Sequence, residues 1–283
     1  MFPWHLNVQP LISTSCRPHG TSGSAASSSL ARCLQILRLL VWLKCSTNLF
    51  NPDGCQEPQR VSESAPRGGQ QVVPRPSVWN RVVSPPWNVD AEAIISTRRI
   101  TEIVDTEGLP IQPAFDGARH AAVLVALSPG AQGVEVLLTR RSQQLRQHKG
   151  EISFPGGRMD PGETATQTAL REAYEEVGLD PSMVSIVGEL SHVNTVASMS
   201  YIIPKVGLLD ASVPLAPQTM EADKVMWVPL AELTATGTYH GELWGSSPTD
   251  RLLHFFELAD ETVWGATGRI LVDLLVRLYS PSV

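Results

Sequence analysis

The 283-residue chain has no cysteine after Cys55, and its four cysteines lie at positions 16, 33, 45 and 55. Their spacing matches no paired zinc-binding pattern. No disulfide can therefore form within residues 56–283, which must be held together by a hydrophobic core. This cysteine usage is typical of a protein from a reducing compartment, and we expect a cytoplasmic location.

The chain also lacks a long apolar run and an excess of positive charge. Its clearest apolar stretch before residue 90, residues 34–43, is interrupted by Gln35 and Arg38 and is much shorter than the roughly 20 residues of a membrane helix. The net charge is −6, which argues against a nucleic-acid-binding surface. We therefore expect neither a membrane nor a nucleic-acid partner. A small phosphorylated substrate needs only a local basic patch and stays open.

Residues 1–90 differ in composition from residues 91–283. Ser, Gly and Pro are dense at 21–29 and 65–70, so this part has too little apolar surface to offset its ordering entropy. We predict a disordered extension over 1–90 and one domain over 91–283. No acidic residue precedes Asp53, so an organellar transit peptide, and hence an organellar matrix location, is the alternative.

The domain alternates short apolar runs with two helical patterns. We predict strands at 121–127, 134–139, 185–190, 201–208, 224–228 and 251–258, with a hairpin between the first two. Residues 91–104 fit a short helix or a strand. Apolar residues at a 3.6 period from Ile270 to Leu278 predict a final helix. This order predicts an α/β fold with a mixed sheet between helices.

One further helix, between Gly162 and Gly178, carries an unusual charge pattern. Its core face falls on Ala169, Ala173 and Val177, while Glu172, Glu175 and Glu176 share a neighbouring arc. Three carboxylates on one arc repel one another, and the helix dipole disfavours anions in the last turns. A purely structural helix gains nothing from this arrangement, whereas a hard divalent cation would stabilise it.

The pattern Gly157-x5-Glu163-x7-Arg171-Glu172-Ala173-x-Glu175-Glu176-x-Gly178-Leu179 resembles the Nudix box at every defined position. This resemblance implies a Nudix α/β/α sandwich and metal-dependent cleavage of pyrophosphate bonds with Mg²⁺ or Mn²⁺. It implies metal ligands at Glu172, Glu175, Glu176 and the Gly157 carbonyl, with Glu163 and Arg171 as a supporting pair in the catalytic set. The general base stays open between one of these glutamates and Glu221 in a later loop.

The segment before the box is a basic patch in an acidic protein. Arg158 adds a further positive charge directly after it. Residues 137–157 are similar to the sequence upstream of the box in coenzyme A diphosphatases, Leu-Leu-Thr-x-Arg-Ser-x3-Arg-x-His-x-Gly-x3-Phe-Pro-Gly-Gly. Arginine suits bidentate phosphate contacts, and coenzyme A carries a 3′-phosphate besides its pyrophosphate. The expected substrate-binding residues are Arg140, Arg141, Arg146, His148, Lys149 and Gly156.

The resemblance therefore implies hydrolysis of coenzyme A and its derivatives to 3′,5′-ADP and (acyl-)4′-phosphopantetheine. Two alternatives stay open: a Nudix pyrophosphatase acting on ADP-ribose or nucleotide sugars, and a non-catalytic nucleotide-binding module. The partner is a small molecule in each case, and a homodimer is the candidate oligomer. The preferred acyl form is not predicted.

Overall fold

A computed structural model describes residues 68–82, 84–87, 95–104, 110, 116–145, 147–195, 198–246 and 250–279. All of them belong to one unit, Glu63–Val283. The helices are α1 (Thr97–Ile103), α2 (Ala165–Val177), α3 (Leu230–Thr234) and α4 (Gly265–Tyr279), with a 3₁₀ turn at Pro181–Met183. The strands are β1 (Trp79–Val82), β2 (Arg119–Gly130), β3 (Gly133–Arg141), β4 (Ile152–Ser153), β5 (Gly156–Arg158), β6 (Ser185–Glu189), β7 (Val193–Thr195), β8 (Ser200–Leu208), β9 (Ala222–Pro229), β10 (Tyr239–Trp244), β11 (Arg251–Glu257) and β12 (Thr262–Val263).

The larger sheet contains all the predicted strands up to residue 228. Its order is β4-β3-β2-β8-β6, with β5 also on β2, β7 on β8 and β9 on β3. β2 and β8 run parallel, whereas β2 and β3 form the predicted antiparallel hairpin. Residues 128–130, which lie beyond the predicted strand 121–127, still belong to β2, and Gly130 pairs with Gly133. The predicted mixed sheet is confirmed.

Helices cover both faces of this sheet, because its strands are apolar on both sides. Leu137 of β3 lies in a buried cluster with Ala169 and Ala173 of α2. Its neighbour Leu138 faces the other way, in a second cluster with Leu271 and other residues of α4. Successive side chains of a strand point to opposite faces, so α2 and α4 lie on opposite sides. This is the α/β/α sandwich that the sequence predicted.

A second sheet has the order β1-β10-β11-β12. The sequence analysis predicted β11 but missed β10, because His240, Gly241 and Glu242 interrupt its apolar pattern. His240 and Glu242 are nevertheless buried, at 2% and 1% exposure. Each has a hydrogen-bond partner there, since His240 Nε2 lies 3.2 Å from Glu242 Oε1.

Ordered structure begins earlier than the sequence analysis expected. Residues 68–82 are described, and β1 pairs with β10 in the register Trp79 to Trp244. Arg75 binds the buried Glu242 through Nε and Nη2 at 2.9–3.0 Å. The start of order near Asp90 is thus corrected for residues 68–82, whose hydrogen bonds compensate for a poor apolar content. The prediction for residues 1–67 lies outside the described residues.

Across the described part of the chain, no helix is both long and apolar enough to span a membrane.

Candidate active site

Helix α2 carries the Nudix-like residues and is fixed at both ends by local interactions. Thr164 caps the first turn: its hydroxyl accepts from Gln167 N at 3.2 Å, and Gln167 Oε1 accepts from Thr164 N at 2.9 Å. Gly178 ends the helix in the left-handed conformation, with φ of 77°, as its position predicted. The rotation of the helix is set by Ala169, Ala173 and Val177, which are buried against the sheet.

Arg171 joins three of the predicted carboxylates. Its Nε and Nη2 donate to the two oxygens of Glu163 at 2.8 and 2.9 Å. Its Nη1 donates to Glu172 at 2.9 Å and to Glu175 at 3.2 Å. The Arg171 hydrogen bonds, with one from the Thr168 hydroxyl, lower the pKa of Glu163 to about 2. Glu163 is therefore a permanent anion that orients Arg171.

Glu176 is the buried member of the set, at 7% exposure. The pKa of Glu176 is raised to about 8, mainly by burial and also by the charges of Glu172 and Glu221, against the lowering effects of Arg141 and of the Gly156 N–H. Burial also raises the pKa of Glu172. The hydrogen bond and charge of Arg171 lower that pKa, and the charges of Glu175 and Glu221 raise it. These carboxylates therefore share one region with too little compensating positive charge.

The Gly156-Gly157 strand brings backbone against this region. A Cβ atom at Gly157 would overlap the Glu172 carboxylate, so that carboxylate rests directly on the Gly157 backbone. A Cβ atom at Gly156 would overlap the carbonyl oxygen of Ala122 on the neighbouring strand. Only glycine permits this approach at both positions.

Arg141 is the one predicted substrate-binding arginine that the described residues place on the carboxylate side. Its Nη2 lies 3.9 Å from Glu221 Oε2, and its charge lowers the pKa of Glu176. Its Nε is buried and has no hydrogen-bond partner among the described residues. Buried donors are normally paired, so this one has capacity for a further acceptor.

The other basic residues near the box have different surroundings. The backbone carbonyl of Arg158 accepts a hydrogen bond from Arg171 Nη2 at 3.3 Å. Arg140 is bound to Asp223 at 2.6 Å and to Glu261 at 3.0 Å. His148 Nδ1 lies 2.9 Å from Glu151 Oε2, and Lys149 is exposed. Arg158 is exposed too, while Arg146 lies outside the described residues.

Sequence reasoning missed Thr168, which is fully buried and donates to Glu163 at 2.7 Å. Its position three residues before Arg171 places both side chains on one helical side, and this signal was available in the sequence. It also missed Glu261, Asp223 and Lys224, which surround Arg140. No local motif marks them, because they come from β9 and the turn before β12.

The donor chemistry of the carboxylate cluster fits a hard divalent cation. Glu172 and Glu176 offer only oxygen, they are partly or fully buried, and the charge of Glu172 raises the pKa of Glu176. In the described ranges, no three acidic, His or Cys side chains already stand together as a metal cluster. The Arg171 guanidinium holds Glu172 and Glu175 in ion pairs at 2.9 and 3.2 Å.

Comparison with known proteins assigns the same region to one family. Residues 118–245 match the model of the NUDIX domain. An uncharacterized Nudix hydrolase, NudL, of Photorhabdus laumondii is 36% identical over 167 residues, which cover 58% of this chain and 88% of that protein. The NudL protein of Yersinia pestis is 33% identical over 157 residues, 55% of this chain and 78% of that protein.

Solved structures give weaker likenesses. A Nudix hydrolase from M. smegmatis, RenU, is 25% identical with a TM-score of 0.35, over 40% of this chain and 72% of that chain. The NUDIX domain of Shewanella oneidensis NrtR, solved with ADP ribose, is 22% identical with a TM-score of 0.36, over 49% and 86%.

Proposed function

The chain belongs to the Nudix hydrolase family, and on that premise we propose that it hydrolyses the pyrophosphate bond of coenzyme A and its derivatives. It is a hydrolase that acts on phosphorus-containing anhydrides. The products would be 3′,5′-ADP and 4′-phosphopantetheine or its acyl form. The observation that carries the proposal is the buried Glu176, which faces Arg141 and lies among other carboxylates.

This arrangement is unfavourable for the resting protein and useful for catalysis. A buried carboxylate beside like charges is destabilising unless a cation joins it. Glu172, Glu175, Glu176 and the Gly157 carbonyl would hold Mg²⁺ or Mn²⁺. When bound, such an ion would neutralise pyrophosphate charge and lower the pKa of a bound water toward neutral pH. Glu163 would keep Arg171 in place, so that the carboxylates present one fixed geometry.

The chain's own groups supply the rest of the reaction. Arg141 Nε, which has no hydrogen-bond partner among the described residues, would donate to a pyrophosphate oxygen as negative charge develops on it. Glu221 is a candidate general base: its side chain is 59% exposed and faces Arg141 across 3.9 Å. An exposed carboxylate at that position can accept a proton from the attacking water.

Coenzyme A specificity rests on the sequence upstream of the box. Arg141 is a defined position of that signature, whereas Arg140 is not, and only Arg141 is near the carboxylates. Arg146, His148 and Lys149 remain candidates for phosphate contacts in the loop between β3 and β4. A cytoplasmic location and a homodimer belong to the proposal as well.

A substrate panel tests the proposal. Coenzyme A, dephospho-coenzyme A and ADP-ribose are incubated with the full chain and Mg²⁺ or Mn²⁺, and products are resolved by chromatography. We expect kcat/KM to be highest for coenzyme A and activity to disappear with a chelator. A higher kcat/KM for ADP-ribose would move the assignment to a nucleotide-sugar pyrophosphatase. Absence of products from every substrate would favour a binding module.

A further inference from the structure

A cavity of about 460 Å³ lies beside the last residues of β3, on the side to which Arg140 points. Its lining includes Arg140, Gln143, Gln70, Gln71 and Glu261. This volume is within the range of small-molecule sites.

The placement of this cavity follows from the alternation of β3. Arg141 points to the α2 side, where it acts on Glu176, and Arg140 points to the α4 side, where it binds Glu261. The Cα atoms of neighbouring residues are only about 3.8 Å apart. Two adjacent residues of β3 therefore border the two regions, Arg141 the carboxylates and Arg140 the cavity.

The charges around the cavity are already paired. Glu261, at 3% exposure, accepts hydrogen bonds from Arg140 at 3.0 Å and from Lys224 at 2.9 Å, and a third from the Gln71 amide. Arg140 also binds Asp223. Among the described lining residues, the one cationic side chain, Arg140, is already bound to two carboxylates, and the exposed Asp260 would repel a phosphate. These charges favour an occupant that is uncharged or nearly so.

The remaining polar lining consists of amides. Gln70 and Gln143 are exposed to the cavity, and the Gly68-Gly69 backbone borders it. Gln143 rests against Gly150, where a Cβ atom would overlap its Nε2, so the side chain is positioned by the loop that follows β3. Amide side chains both donate and accept hydrogen bonds, as does an amide-bearing ligand.

We propose that this cavity binds the uncharged, amide-bearing arm of the substrate, and that Gln143 is a residue that selects for it. Under the proposed function, on which this inference rests, that arm is the pantetheine portion of coenzyme A. The 3′-phosphate would then lie elsewhere, with Arg140 serving to hold the cavity wall.

Pantetheine and 3′,5′-ADP, used separately as inhibitors, test the assignment. We compare the full chain with Gln143→Leu and Gln70→Leu, and with Gln144→Leu, an exposed neighbour outside the lining, as the control. Because each lining variant loses one hydrogen bond, we expect pantetheine to inhibit it roughly threefold to tenfold more weakly than the parent. Inhibition by 3′,5′-ADP should be unchanged, and so should both inhibitors in the control. Circular dichroism checks that each variant is folded.

Unchanged pantetheine inhibition in both lining variants would overturn the inference, as would a selective loss of 3′,5′-ADP inhibition, which would assign the cavity to the nucleotide. Failure of the proposed function is seen separately, in the parent protein. If the parent cleaves another anhydride but not coenzyme A, inhibition is measured with that substrate. Loss of pantetheine inhibition in the lining variants would still support the cavity assignment.

Discussion

Arg140 and Arg141 are neighbours in one strand, yet they belong to two regions with opposite electrostatics. On the α4 side, Arg140 and Lys224 bind Asp223 and Glu261, and each charge has a partner at 2.6–3.0 Å. On the α2 side, Arg141 has a buried donor without a partner among the described residues, and Glu176 is buried near like charges. The first region is satisfied by the fold itself, whereas under the proposed function the second would be satisfied by a bound substrate and cation.

Glu176→Gln should give the largest effect that separates these regions. It removes a proposed metal ligand, so kcat should fall on the order of 10²–10³ or more, by analogy with the removal of other catalytic groups. Glu102→Gln, in an exposed ion pair of α1, is the matched control. Steady-state kinetics at saturating Mg²⁺ measure both. A kcat for Glu176→Gln within threefold of the parent would remove Glu176 from the catalytic set.

The same variant should be more stable than the parent in a chelator. The pKa of Glu176 is raised to about 8, so its favourable contribution to folding is complete below the unfolded value of about 4.5 and is lost as pH rises through 8. Near pH 8, removing this charge should raise the free energy of unfolding by about 2–4 kcal/mol. Denaturant titrations at pH 5 and pH 8 measure it, and a gain at pH 5 as large as at pH 8 would contradict this cause.

Arg141→Ala and Arg140→Ala compare the two sides directly. Losing one charge-assisted hydrogen bond to the substrate should lower kcat/KM by roughly 10-fold to 100-fold for Arg141→Ala. Arg140→Ala should instead lower the free energy of unfolding by about 1–2 kcal/mol, since it leaves the buried Glu261 with fewer partners. Equal losses of kcat/KM in both variants would mean that the strand end acts as one binding unit.

His254 tests whether titration in the smaller sheet affects stability without affecting chemistry. Burial, and then the charge of Arg269, lower the pKa of His254 to about 4, and its Nδ1 lies 2.9 Å from the Tyr239 hydroxyl. The neutral His254 side chain contributes about 2–3 kcal/mol to the free energy of unfolding. This contribution is complete above about pH 6.5 and is lost as pH falls toward 4. His254→Gln should remove that part of the pH dependence. The exposed His120→Gln is the control, and identical pH profiles for parent and His254→Gln would contradict the prediction.

Local patterns in the sequence predicted the central parts of the fold and of the candidate site. The hairpin, the capped end of α2 and the helix α4 each follow from a residue pattern a few positions long. The arc that holds Glu172, Glu175 and Glu176 follows from helical geometry in the same way. The structure then distinguishes their burial, since Glu176 is buried whereas Glu175 is exposed.

Features that depend on long-range pairing were not predictable from local patterns. β1 is short, with all four residues exposed, and it exists because β10 pairs with it across more than 150 residues of sequence. The ion pairs of Arg140 likewise come from Asp223 and Glu261, far along the chain. A basic cluster in the sequence therefore overstated the positive charge available to a substrate, because distant carboxylates compensate part of it.

Arg98→Ala gives the smallest expected effect, and its comparison with Arg75→Ala tests how firmly residues 68–82 belong to the fold. Arg75 binds Glu242, which is 1% exposed, and its guanidinium also lies 5.2 Å from the Trp79 ring centroid. Leaving a buried carboxylate with fewer donors is costly, but the Arg75 side chain is 35% exposed, so solvent screening reduces the loss. We expect the free energy of unfolding of Arg75→Ala to fall by about 2 kcal/mol.

Arg98 pairs with Glu102 on the surface of α1, with its side chain 89% exposed, and its removal should cost only about 0.3–0.5 kcal/mol. Denaturant unfolding of both variants at pH 7 gives the difference. Equal losses would mean that the segment before β1 contributes no more to stability than an exposed ion pair, and that the domain begins at β1 or later.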